Sequence, residues 1–147
     1  MGFGMKDQFV QILKQLNLKV TSRRLEVMIC LAIQHSYLSA EEVWALVRPK
    51  LGRIGQPTVY RILNELAEAG VITRIFMSDR KQNFFLCSNL EHHHHFVCES
   101  CRRVVDIDYC RIDEIEGDIA LHCDGEITSY IFQINGICGA CCKLKKR

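Results

Sequence analysis

Cysteines at 98 and 101, and again at 138 and 141, form two Cys-x-x-Cys pairs, a spacing suited to metal. A pair on a tight turn sets two thiolates about one edge of a zinc–sulfur tetrahedron apart, and two pairs complete the closed four-thiolate arrangement of a structural zinc site. One pair alone would leave redox exchange open. Two matched pairs in one region favour Zn2+ held by Cys98, Cys101, Cys138 and Cys141. The second pair follows the last strand-like run, so one ion would tie the C-terminal region to the hairpin carrying the first pair. Binding free energy would then serve as folding free energy, on the order of 10 kcal/mol in zinc-finger peptides. Cys142 is an alternative to Cys141, whereas Cys30, Cys110 and Cys123 read as buried or idle thiols rather than ligands.

A second concentration of donors precedes the first pair: His92-His93-His94-His95. In an extended segment side chains alternate between faces, so His93 and His95 point one way and His92 and His94 the other. Each pair can offer two imidazoles to a metal on its own side. The bland alternative is a polar linker with solvated histidines. Cys87 lies close by in sequence, and a metal held here would fix the angle between the two halves of the chain.

The halves are set apart by chemistry. Before residue 87 there is one cysteine, Cys30, and one histidine, His35; eight cysteines and five histidines lie from Cys87 onward. The 147 residues suffice for one ordinary domain or two small ones. An apolar fraction of 48% supplies a core, and 24% charged residues argue against disorder. The net charge of +2 neither demands nor excludes nucleic acid. No apolar run approaches the roughly 18 residues of a membrane span, and the start lacks a secretory pattern. A cytoplasmic location without membrane attachment is therefore expected. There thiols stay reduced, which favours metal binding over disulfides for an odd set of nine cysteines.

The first half reads as helices followed by a hairpin. Helical spacing of apolar residues runs over Asp7–Leu18 and Ser22–Gln34, and Ser39-Ala40-Glu41-Glu42 is an S-x-x-E capping box ahead of Val43, Trp44, Leu46 and Val47. Gly55-Gln56-Pro57 opens another helix that Gly70 closes. Val71–Met77 and Asn83–Cys87 are β-prone runs joined by a polar connector. This order predicts a winged helix-turn-helix with the Pro57 helix as recognition helix. Its outer face would carry Thr58, Tyr60, Arg61 and Asn64 toward the major groove. Lys19, Arg23 and Arg24 could anchor phosphate near an earlier helix start, as could Arg80 and Lys81 at the wing tip. The alternative is a small helical domain on which these residues are merely solvated.

The second half predicts short strands at His94–Val97 and Val104–Asp108, an amphipathic helix over Ile112–His122 and a longer strand over Glu126–Asn135. A unit of roughly 55 residues often needs a staple. The expected architecture is α+β: a winged-helix DNA-binding domain at 1–87, a hinge at 88–91 and a small α/β metal-binding domain at 92–147.

The stretch Glu91-His92-His93-His94-His95-Phe96-Val97-Cys98-Glu99-Ser100-Cys101-Arg102-Arg103-Val104-Val105-Asp106 resembles the signature of the ferric uptake regulator family. Asn135-Gly136-Ile137-Cys138-x-x-Cys141 is similar to that family's C-terminal ligand pair. Pro57-Thr58-Val59-Tyr60-Arg61, followed by Glu68-Ala69-Gly70, resembles its recognition helix and the turn after it. The likeness covers nearly the whole chain, from about Lys19 to Cys141. It implies a dimeric repressor with an N-terminal winged helix, a C-terminal dimerisation domain, a four-cysteine structural zinc and a regulatory metal at the hinge. By position it implies Cys87, His93, His95 and Asp106 as regulatory ligands. A second metal would draw on His92, His94 and Asp113 (or neighbouring Glu114) and the place of Tyr130.

Three positions depart from the family pattern. Cys87 stands where iron and peroxide regulators usually carry a carboxylate, and Tyr37 and Tyr130 stand where histidine is usual; His35 is two positions off. A thiolate in place of harder donors suits Zn2+ better than Fe2+, and zinc uptake regulators also have cysteine at that place. The expectation is therefore a non-enzymatic, metal-dependent repressor of metal-uptake genes, acting as a homodimer on palindromic double-stranded operators, with Zn2+ or Fe2+ as the regulatory ion. A peroxide-sensing regulator of the same family is the near alternative. A hydrolytic zinc enzyme would need an open coordination position with a base beside it, and a metal-buffering or redox-switch protein would bind metal without sequence-selective DNA affinity.

Overall fold

The computed structural model describes residues 4–89 and 91–146. Position 90 of the expected hinge, and positions 1–3 and 147 at the ends of the expected domains, lie outside the described residues. Two compact units divide the chain, 1–88 and 89–147.

In the first unit, α1 (Met5–Gln15) buries Phe9 and Leu13. It stops short of the expected Leu18 because Asn17 adopts a left-handed conformation, φ 55°, while the Leu18 N–H reaches back to the Leu13 carbonyl. Helix α2 (Ser22–Gln34) starts where the Thr21 side chain accepts the Arg24 N–H and ends at His35, φ 51°. The two-residue strand β1 (Leu38–Ser39) precedes α3 (Ala40–Leu51). The capping box forms in full: the Glu42 N–H donates to Ser39 Oγ, and the Ser39 N–H donates to Glu42 Oε2. Ser39→Ala should therefore lower the stability of this unit by about 1 kcal/mol, read as an earlier urea midpoint followed through Trp44 fluorescence.

Helix α4 (Gln56–Glu68) turns Val59, Ile62, Leu63 and Leu66 inward. The short joint before it is held by the Trp44 indole N–H, which donates to the Ile54 carbonyl at 2.8 Å, and Gly70 closes the helix at φ 76°. Strands β2 (Thr73–Phe76) and β3 (Gln82–Phe85) form the expected antiparallel hairpin, with Arg74 opposite Phe84. Strand β1 adds to its other edge, giving the order β1-β3-β2. Two residues are too few to show a period, so β1 was not legible in the sequence. The unit's core joins all four helices to the sheet through Leu13, Met28, Leu31, Val43, Leu63 and Phe84, among others.

The second unit contains β4 (His94–Cys98), β5 (Val104–Ile107), α5 (Ile112–Cys123), β6 (Gln133–Gly136) and α6 (Gly139–Lys145). Strand β4 is central, antiparallel to β5 and parallel to β6. The expected long strand over Glu126–Asn135 is confined to Gln133–Gly136, and α6 was not foreseen. Among the described residues of this unit only His94, His95, Val97, Cys98 and Cys141 are buried. An apolar core this small cannot offset the chain's ordering entropy by itself.

Candidate metal centres

The parallel pairing of β4 with β6 brings the two cysteine pairs together. Cys98 ends β4 and lies beside Gly136 at the end of β6, so both chains leave the sheet at the same edge. The first pair bends through a turn in which the Arg102 N–H donates to the Cys98 carbonyl, with Arg102 at φ 63°. The second enters α6, with Cys138 as its N-cap and Cys141 buried one turn on. A Cβ at Gly136 would meet the Phe96 ring at 3.0 Å, so a larger residue at the crossing would require that ring to shift. All four sulfurs lie within 4.8 Å of one another, Cys101 and Cys138 at 3.7 Å. Four soft donors at about tetrahedral-edge spacing fit a zinc ion.

The local field prepares these thiols unequally. Cys98 is held down to about 6, first by the backbone N–H of Cys101 and then by that of Cys138, whose N–H donates to the Cys98 sulfur at 3.3 Å. Cys138 is also lowered, led by a backbone hydrogen bond at Cys141. Cys141 is pushed up to about 11: its contact with Ser100, the largest single influence, lowers it but is outweighed by Cys138, burial, Cys101 and Cys98. Part of the set is thus anionic near neutral pH, and a divalent cation would be required to draw off the remaining protons.

The four histidines split across β4 as alternation requires. On one face His93 Nε2 and His95 Nε2 are 2.9 Å apart. Asp106, paired directly opposite His95 on β5, places Oδ1 at 3.8 Å from His93 and 3.6 Å from His95. Burial, then the neighbouring His93, lowers the pKa of His95, outweighing the upward pull of Asp106. That favours the neutral imidazole, the form that ligates metal. The Asn89 amide donates to the other Asp106 oxygen at 3.2 Å. Cys87 is half-buried near the end of the first unit.

On the other face His92 and His94 meet edge to face, their ring centroids 5.0 Å apart. His94 is buried against Phe132 at 4.6 Å, and burial, followed by His92 and His93, lowers its pKa. The third donor here is Cys110, with its sulfur 3.2 Å from His92 Nε2. Cys110, expected as a buried or idle thiol, is half-buried and lies 18 residues from His92 in sequence. Asp113 does not join this group of donor atoms; it is exposed in the first turn of α5.

The residues expected to meet DNA fall into two sets. Tyr60, Arg61 and Lys19 are exposed, and Thr58 is half-buried on α4. The guanidinium of Arg24, the expected phosphate anchor, pairs with Glu65 on α4 at 2.6 Å and donates to the Lys19 carbonyl. Asn64 accepts a hydrogen bond from Arg74 of β2, so it braces α4 against the wing.

A winged-helix unit joined to a small α/β unit built around thiolate and imidazole clusters defines a metal-responsive transcriptional regulator rather than an enzyme. The sequence profile of the ferric uptake regulator family matches residues 15–134, and the chain belongs to that family. The peroxide-responsive repressor PerR of Staphylococcus epidermidis is 28% identical over 136 residues, spanning 92% of this chain and 89% of that protein. The Vibrio cholerae ferric uptake regulator is 33% identical, with a TM-score of 0.61 over 87% of this chain and 98% of its own. A zinc uptake regulator complexed with zinc and DNA shares the fold at a TM-score of 0.81 and 24% identity, covering 97% of this chain and 96% of the other.

Proposed function

We propose that the chain is a zinc-responsive repressor that binds palindromic operators of metal-uptake genes as a homodimer, with Zn2+ also held structurally by Cys98, Cys101, Cys138 and Cys141. The observation that carries this reading is the His93–His95–Asp106 trio, which begins just after the boundary with a winged-helix unit. Cys87, just before that boundary, is proposed as the fourth donor. Two imidazoles, a carboxylate and a thiolate suit Zn2+ better than Fe2+.

An ion held there would link donors from both sides of that boundary and would stabilise only the arrangement that seats all four. Recognition would use Thr58, Tyr60 and Arg61 of α4, with Lys19 on phosphate. The peroxide-responsive relative favours a second reading, but Cys87 and Tyr37 stand where that chemistry uses harder donors.

Dimerisation is supported by α5. None of its residues is buried, and Ile115, Leu121, Tyr130, Ile131 and Phe132 are exposed in the same unit. An exposed apolar surface of this kind, on and beside a helix that buries none of its residues, is suited to a second copy of the chain.

The test uses protein already loaded at the four cysteines and a palindromic duplex selected by it from random sequence. Adding Zn2+ should raise affinity by about 5- to 150-fold, the usual range of allosteric coupling. His95→Ala should remove that gain while leaving the structural zinc in place, and sedimentation should report a dimer in both. Equal affinity with and without added metal would sink the proposal.

A further inference from the structure

We propose that Arg24 is a positioning residue for DNA recognition, a role that rests on operator binding by the first unit. Its guanidinium ties the backbone at Lys19 to Glu65 of α4, and so fixes where the phosphate anchor stands relative to the recognition helix.

The two ends of the guanidinium have different partners. One nitrogen, Nη1, donates to the Lys19 carbonyl at 2.6 Å, and the other, Nη2, donates to Glu65 Oε2 at 2.6 Å. The root of the side chain is held as well, because the Arg24 N–H donates to the Thr21 cap of α2. Lys19 itself lies in the connector between α1 and α2, outside any helix or strand. A planar fork of donors can span two acceptors in one fixed geometry, which a single ammonium cannot do as rigidly.

Glu65 is placed oddly for a nucleic-acid reader. It follows Arg61 by four residues, so the two share a face of α4, and its side chain remains 34% exposed. A carboxylate there works against a polyanion, and charge alone would favour its removal. The pairing gives that carboxylate a purpose. On the other flank Asn64 accepts from Arg74 of β2 at 3.3 Å, so α4 is held toward α2 by one arginine and toward the wing by another.

The test uses the full chain with zinc at the four cysteines and excess Zn2+, bound to the selected palindromic duplex and to a scrambled duplex of equal length. Glu65→Leu removes one negative charge from the recognition helix of each protomer, so electrostatics alone predicts tighter binding to both duplexes. Positioning predicts the opposite for the operator: affinity lower by at least about 10-fold, the equivalent of one charge-assisted hydrogen bond, with the scrambled duplex bound at least as well as before. Arg24→Lys keeps the charge without the fork and should lose operator affinity to a similar extent, whereas a direct phosphate anchor would tolerate it. In a Lys19→Ala background, with no anchor left to misplace, Glu65→Leu should cost less than about 3-fold. Retained affinity for the scrambled duplex certifies the fold. Operator affinity that survives Glu65→Leu or Arg24→Lys, or an undiminished effect of Glu65→Leu without Lys19, overturns the proposal. Equal loss on both duplexes assigns the pair to stability alone and overturns it too. The gain on adding Zn2+ should persist in every variant, so failure of the metal response and failure of this role are read separately.

Discussion

Replacing Cys98 with serine is expected to unfold the second unit while the first keeps its structure. Cys98 ends the central strand of a three-stranded sheet and is fully buried, and its sulfur accepts the Cys138 N–H. Serine keeps the volume but offers zinc a harder oxygen and breaks the four-thiolate set. Structural zinc contributes on the order of 10 kcal/mol to small metal-dependent folds, comparable with the roughly 5–15 kcal/mol that holds a whole domain. Little apolar core compensates, because among the described residues of this unit four of the five buried ones are themselves cysteine or histidine. Bound zinc and amide protection over residues 94–98 should fall together, and strong chelation of the unaltered protein should reproduce the effect. A Cys98→Ser protein that retains both zinc and protected β4 amides would contradict this account.

The second large effect belongs to the other unit and has a different origin. Phe84 is completely buried and lies in the middle strand of its sheet, opposite Leu38 on one side and Arg74 on the other. Removing its ring leaves a cavity among helices that close-packed neighbours cannot fully refill, at a cost of about 3–5 kcal/mol for Phe→Ala. The single tryptophan, Trp44, sits against this core, so its fluorescence follows the first unit selectively. With a urea dependence of about 1–3 kcal/mol per molar, the midpoint should move down by at least roughly 1 M with unchanged slope. Zinc at the four cysteines should be retained throughout. A shift below about 0.3 M would mean that the site collapses around the smaller side chain and that Phe84 is not the keystone its burial indicates.

The sequence was most legible where local chemistry sets the geometry. Cys-x-x-Cys spacing is a property of one turn, the Ser39–Glu42 box of one helix start, and the alternation of four histidines of one extended segment. It was least legible where distant segments meet. Arg24 carried the signal of a phosphate anchor, and only the fold reveals Glu65, 41 residues on, as its partner. Cys110 gave no signal because its approach to His92 depends on the return of β5. The strand expected over Glu126–Asn135 had the right residues, but only Gln133–Gly136 finds a neighbouring strand within the chain. Composition states what a segment can do, and a pairing partner decides whether it does.

Seven consecutive residues, 92 to 98, serve three clusters at once, and four of them are identical. Sliding β4 by one step would still present histidine to each side of the sheet, so the imidazoles are indifferent to the frame in which the strand is read. What forbids the slip is the far end: Cys98 must meet Gly136, and only there does the Cys138 amide find its sulfur. An inserted or deleted histidine should therefore be absorbed toward residue 92, whereas an insertion between Phe96 and Cys98 would misalign every donor upstream.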